Sequence, residues 1–100
     1  MSEKIIAVKI HDADNVAAVF TDVPAGGIVE VVDKKGNRWD VTVKDEVPFG
    51  HKFALDPINK GEQITKYGEE IGIASTDIVV GDYVHVHNLE STRGRGDLEK

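Results

Sequence analysis

The sequence has no cysteine. Disulfides, thiolate nucleophiles and Cys-based zinc or iron–sulfur sites are therefore excluded. It has no apolar run near the roughly 20 residues of a membrane span. Its first residues, MSEKIIAVKI, contain no apolar leader segment and no small-residue cleavage site, so the cytoplasm is the expected compartment. Basic residues are in deficit: 12 Lys and Arg stand against 18 Asp and Glu, a formal charge of −6. A sequence-independent grip on nucleic acid needs a basic surface that displaces counterions, and an anionic membrane attracts basic segments. Neither partner is expected here, although net charge leaves room for a local basic cleft. Also missing are a phosphate loop, GxSxG and HExxH.

The composition is that of an ordinary folded domain, with 40% apolar and 30% charged residues. One hundred residues make a single domain. A chain of this size buries only about two-thirds of the surface its unfolded form exposes. That leaves one modest core and little room for an enclosed catalytic cavity, so any enzymatic role points to a site completed by another chain.

Hydrophobic periodicity is mostly two, in short pieces. Residues 4–10, 28–32, 38–43, 51–55, 63–66, 71–74 and 83–87 read as strands. Residues 15–20 (NVAAVF) read as a further strand, with a helical turn as the alternative because of their alanines. The turn sequence DKKGN joins Val29–Val32 to Arg38–Val43 as a hairpin, with Trp39, Val41 and Val43 on one face. No segment sustains a 3.6-residue pattern. The expectation is an all-β fold of short twisted strands and long loops, with at most short helical turns.

One form recurs. Val23-Pro-Ala-Gly26, Val47-Pro-Phe-Gly50, Ile58-Asn-Lys-Gly61 and Ile78-Val-Val-Gly81 each read apolar-x-x-Gly and lead into extended chain. Glycine in the fourth place suits a turn that ends in the left-handed region, with the apolar first residue as its anchor. The spacing is unequal, which marks repeated turn chemistry and not a solenoid. Residues 1–90 form the expected domain. The polar, glycine-rich end, residues 91–100 with RGRGD, reads as a flexible tail or linker.

Several residues could carry chemistry. His85 and His87, two apart in the alternating YVHVH, would share a strand face with Tyr83, about 6–7 Å apart at their α-carbons, while Val84 and Val86 face the core. Such a pair can hold a metal or a substrate; the alternative is two solvated histidines on an edge strand. Gly50-His51-Lys52 presents an imidazole and an amine from a tight loop, suited to binding a carboxylate or moving a proton. Alternatively His51 caps the turn. Lys66-Tyr67-Gly68 offers a second amine, or a plain surface lysine. Asp12, Asp14 and Asn15, with His11 nearby, could supply oxygens to a hard cation, or form an Asx-type turn.

Taken in order, DNVAAVF, VPAG, VPFGHKFAL, INKGEQITKYGEEIG and DIVVGDYVHVHNLES resemble the N-terminal domain of the altronate and galactarate dehydratase family. The likeness runs from about Val8 to Ser91 and is most specific in GHKFAL, KYGE-x-IG and HVHN. It implies an SAF-type, β-clip fold, which type III antifreeze proteins and sialic acid synthase C-terminal domains share. It implies a module that precedes a larger catalytic domain or is encoded as a separate small subunit. The implied reaction is loss of water from a sugar acid such as D-altronate or D-galactarate, giving a 2-keto-3-deoxy acid. The implied cofactor is a divalent metal, iron in most members, held mainly by the large catalytic chain. A relative, sulfolactate sulfo-lyase, eliminates sulfite in place of water. On this resemblance His51, Lys52, His85 and His87 are the expected catalytic residues, and Lys66, Tyr67 and Asn88 the expected substrate-binding residues, with no metal ligand assigned. Two other functions stay in play: a sugar-acid-binding or regulatory module without chemistry, and, ranked last because the surface is charged and histidine-bearing, an antifreeze-like structural role.

Overall fold

The computed structural model describes residues 5–91, and none of them is helical. The strands are β1 (Ile5–Lys9), β2 (Val16–Ala18), β3 (Ile28–Asp33), β4 (Arg38–Thr42), β5 (Lys52–Ala54), β6 (Gln63–Lys66), β7 (Glu69–Ala74), β8 (Tyr83–Val84) and β9 (Leu89–Glu90). They form three small sheets with orders β1-β3-β4, β2-β5-β8 and β6-β7-β9. The fold is therefore the all-β one that the period-two pattern predicts. Val16–Ala18 is a strand, not a helical turn. The proposed tail from residue 92 onward, RGRGD included, lies outside the described residues.

The β3–β4 hairpin forms where the DKKGN turn predicts it. The Asp33 carboxylate closes it by accepting hydrogen bonds from the Lys35 and Asn37 amides and from the Asn37 side chain. These contacts hold that carboxyl below its ordinary pKa, the Asn37 side chain first, although its partial desolvation acts the other way.

The recurring glycine turns organise the molecule. In each, the amide after the glycine donates to the carbonyl of the second residue: Gly27 to Pro24, His51 to Pro48, Glu62 to Asn59 and Asp82 to Val79. The four glycines have φ between 83° and 91°, so these are type II turns whose third residue needs the left-handed region. The repeat is longer than the sequence pattern suggests. Val19, Val43, Ala54 and Ala74 each stand four residues before an apolar anchor, and each receives a turn. Gly26 N–H donates to Val43 O, and Gly50 N–H to Val19 O. Gly61 N–H donates to Ala74 O, and Gly81 N–H to Ala54 O. The first turn thus docks on the strand that leads to the second, and the second on the strand that leads to the first. The third and fourth exchange in the same way. Their anchors pair directly, Val23 with Val47 and Ile58 with Ile78, and all four are buried. Asp22 and Asp77 occupy matching places, accepting from the amides of Phe49 and Lys60.

Two cores result, one on each face of β2-β5-β8. Alternation along these strands sends Ala17, Phe53 and Tyr83 into one cluster with Val19, Val23, Val29, Val31, Val41, Val43 and Val47. Val16, Ala54 and Val84 enter the other with Ile58, Ile64, Ala74 and Ile78. Phe53 is fully buried and contributes roughly 1.5–3 kcal/mol of hydrophobic stabilisation. This division of a small core leaves the ends of the middle sheet near the surface.

Strand β8 is shorter than the YVHVH alternation predicts. It ends at Val84, and residues 85–88 form a turn. Val86, expected in the core, is 80% exposed. The cause is Asn88. Its Oδ1 accepts from the His85 amide, its Nδ2 donates to Tyr83 O, and its own N–H donates to His85 O. A side chain that offers one acceptor and two donors to the backbone competes with strand pairing and folds the chain back into β9.

Candidate functional site

The antiparallel register of β5 and β8 pairs Lys52 with Val84 and Phe53 with Tyr83. One step beyond the Lys52–Val84 pair come His51 and His85, so the glycine turn before β5 and the Asn88 turn after β8 deliver two imidazoles to the same end of the sheet. Their ring centroids are 4.7 Å apart. Tyr83 lies among them. Its ring stacks on that of His85 at 5.6 Å and 10°, stands 5.4 Å from His87, and its hydroxyl is 2.6 Å from Nδ1 of His51.

Two lysines join this end. Burial of the Lys52 amine, and second the charge of nearby Lys66, push its pKa below the ordinary lysine value. Lys66 closes β6, and its Nζ lies 4.8 Å from the centroid of the Tyr67 ring, a cation–π contact. Tyr67 and Gly68 are the two central residues of the β6–β7 hairpin, with φ of 56° and 78°, as a type I′ turn requires. His85 is half-buried and is held below the usual histidine pKa, first by desolvation and then by the charges of His51, Lys52 and His87. Neither lysine pairs with a carboxylate among the described residues. The ion pairs Lys35–Asp12 and Arg38–Glu30 belong to the hairpin side.

The structure therefore brings His51, Lys52, Lys66, His85 and His87 to one place, with Tyr67 at its margin. Asn88 takes a different position from the one expected of a substrate ligand. It is buried and both ends of its amide are engaged internally, because the turn that carries His85 and His87 depends on them. Tyr83 is the residue missed as a site candidate. The signal was in YVHVH, whose alternation puts it on the His85 face.

Two of the three oxygen donors expected after β1, Asp14 and Asn15, are engaged within the fold and not free for a cation. Asp14 is buried, and its carboxylate accepts from the amides of His11 and Gly68. Asn15 bonds Thr65 and Gln63 across the irregularity in β6. This segment ties the β6–β7 hairpin tip to the first strand. A hollow of about 270 Å³ lies beside it, lined by His11, Asp12, Lys34 and Lys35, away from the imidazoles. Among the described residues no three His, Cys, Asp or Glu side chains converge as a metal ion requires. These residues do not make a metal cage by themselves, and no step below runs through one.

A cationic, imidazole-rich cluster at the end of a sheet can bind a carboxylate and exchange protons with the carbon beside it. Comparison with known proteins shows the family. Residues 5–92 match the model of the altronate/galactarate dehydratase SAF domain. The chain is 44% identical over 84 residues to altronate dehydratase of Escherichia coli, and 38% identical over 84 residues to altronate dehydratase of Bacillus subtilis. These matches take in 84% of this chain but only 16% of either dehydratase. It is also 35% identical over 88 residues to the alpha subunit of (2R)-sulfolactate sulfo-lyase from Chromohalobacter salexigens, covering 93% of that subunit.

Proposed function

The chain belongs to the altronate/galactarate dehydratase SAF domain family, and from that premise we propose that it is the small, non-self-sufficient part of a sugar-acid hydro-lyase. In this reading it works in the cytoplasm beside a large catalytic chain or domain. The carrying observation is the convergence of three imidazoles and two lysines with no carboxylate partner among the described residues, in a protein whose net charge is −6. Amines and imidazoles gathered in one place disfavour one another's positive charge, and a bound anion offsets that cost.

The reaction is a β-elimination. A base removes the proton on the carbon next to the carboxylate. The electron pair of that C–H bond forms the new C=C bond. The C–O bond at the next carbon breaks, and hydroxide takes a proton and leaves as water. The enol product then rearranges to a 2-keto-3-deoxy acid. The groups held toward their neutral, proton-accepting forms are Lys52 and His85. A lowered pKa shifts each group toward the form that can accept a proton. Lys66, with Tyr67 against it, is placed to attract the carboxylate. Any divalent metal, iron being the family expectation, is assigned to the partner chain.

The sulfo-lyase alternative has its own support, since the chain matches nearly the whole length of that enzyme's alpha subunit. The same cluster would then meet a carboxylate and a sulfonate, with sulfite as the leaving group.

Co-expression with a large dehydratase-like chain tests the proposal. D-altronate, D-galactarate and sulfolactate are assayed with and without iron, against each chain alone. Turnover is expected only when both chains are present. The proposal falls if the lone 100-residue chain turns over substrate, or if alanine at His51, His85 and His87 together leaves the two-chain enzyme fully active.

A further inference from the structure

Every ring in the cluster touches Tyr83. Its ring centroid lies 5.6 Å from His51, 5.6 Å from His85 and 5.4 Å from His87. Its backbone is fixed by the β5–β8 register and by the Asn88 side chain, and its ring packs against the larger core. The hydroxyl, by contrast, has one hydrogen-bond partner among the described residues, Nδ1 of His51 at 2.6 Å.

The direction of that bond follows from its length and from the two groups. N–H···O bonds lie at about 2.7–3.2 Å, whereas O–H donors reach about 2.5–3.0 Å. A phenol holds its proton more tightly than an imidazolium does, and an imidazole lone pair is a good acceptor. These preferences favour the arrangement in which the hydroxyl donates and Nδ1 accepts. A neutral imidazole carries one ring proton, which is then on Nε2. Among the described residues no hydrogen-bond partner of Nε2 is found.

We infer that Tyr83 is a positioning residue that locks neutral His51 in its Nε2–H form, so that His51 meets a substrate oxygen as a hydrogen-bond donor and not as a base. This deepens the lyase proposal and rests on its reading of the cluster as a carboxylate site. It divides the labour among the three imidazoles. His51 offers a proton to a carboxylate oxygen or to the departing hydroxyl. The accepting role is left to Lys52 and His85, whose surroundings favour their neutral forms.

The tautomer is read directly by long-range ¹H–¹⁵N NMR of the 100-residue chain at alkaline pH. The expected spectrum has an unprotonated Nδ1 and a protonated Nε2 at His51. A proton on Nδ1, or an even mixture of forms, overturns the inference. Tyr83→Phe keeps the ring packing and removes the hydroxyl. It should shift the tautomer ratio toward the mixture, by about tenfold for the loss of one such bond. An unchanged ratio also overturns it, and should this variant not fold, the wild-type spectrum decides alone. In the two-chain enzyme, His51→Gln places an amide donor near the Nε2 position and His51→Asn near the Nδ1 position. The Gln variant should exceed the Asn variant in kcat/KM by about tenfold; the reverse order counts against the inference. If the two-chain enzyme shows no lyase activity, the functional proposal fails while the tautomer measurement still judges Tyr83.

Discussion

The imidazole of His51 stands 4.7 Å from that of His85, one step past the last paired residues of β5 and β8. A charge on the His51 ring disfavours protonation of His85. With the desolvation of His85 this sets a pH dependence of stability. The folded state binds the His85 proton less well than the unfolded chain, whose histidine has the ordinary value of 6.5. Between the lowered pKa and 6.5 the unfolded state carries more protons, so stability rises with pH across that window and the His85 contribution is flat above it. Urea unfolding at pH 5 and pH 7.5 should show the higher midpoint at pH 7.5. In His85→Gln the difference should shrink; an unchanged difference would assign it to other groups.

Lys52 and Lys66 are coupled through their charges. Lys66→Met removes the second-ranked cause of the Lys52 shift and leaves the first, burial. The Lys52 pKa should rise toward 10.5 without reaching it, as read by NMR titration of the side-chain carbon next to the amine. A pKa that stays in place would mean that burial accounts for the whole shift.

Gly36 and Gly81 have the same φ of +91° but different surroundings. A Cβ at Gly36 meets nothing within 4 Å, whereas one at Gly81 would run into the Thr42 carbonyl oxygen. Gly36→Ala should therefore cost only the left-handed conformation, roughly 1–2 kcal/mol. Gly81→Ala adds a backbone clash and should cost about 1–3 kcal/mol more. Equal losses in denaturant unfolding would contradict the close docking of the fourth turn.

Asn88→Ala leaves the His85 amide and the Tyr83 carbonyl without their partners. A stability loss of about 2 kcal/mol is expected. The 85–88 turn should also loosen, and nuclear Overhauser contacts between the Tyr83 and His85 rings should weaken. Retention of both stability and contacts would show that the turn forms without this side chain.

Phe53 and Phe49 separate packing from exposure. Phe53→Ala should lose about 3–5 kcal/mol, since its ring is fully buried between β2 and β8. Phe49, which is 65% exposed, should change stability by about 0.5 kcal/mol or less when replaced by alanine. Thermal melts of the two variants distinguish them.

Much of this architecture is written locally. Alternating β-branched residues predict β1, β3 and β4, and DKKGN predicts the hairpin, because strand faces and tight turns depend on neighbouring residues. The apolar-x-x-Gly pattern predicts four turns, and all four form. The extended reading of residues 83–87 failed at Val84 because Asn88 offers the backbone hydrogen bonds that a strand would otherwise supply, a choice decided only when the chain folds back into β9. The acidic HDADN stretch shows the same limit. Its residue types suit a cation or a turn equally, and the long-range bond from Gly68 to Asp14 selects the turn.

By itself the sequence determined the all-β class, the glycine turns, the absence of thiol chemistry and the supply of imidazole and amine groups. Each of these follows from residue type or short-range spacing. Tertiary structure alone decided that the turns dock on one another in reciprocal pairs, and that Lys66, from the β6–β7 hairpin, lies close to the β5–β8 end. It also placed the Tyr83 hydroxyl against His51. The reason is that register between strands distant in sequence is chosen by the burial of their shared faces, which no local pattern records.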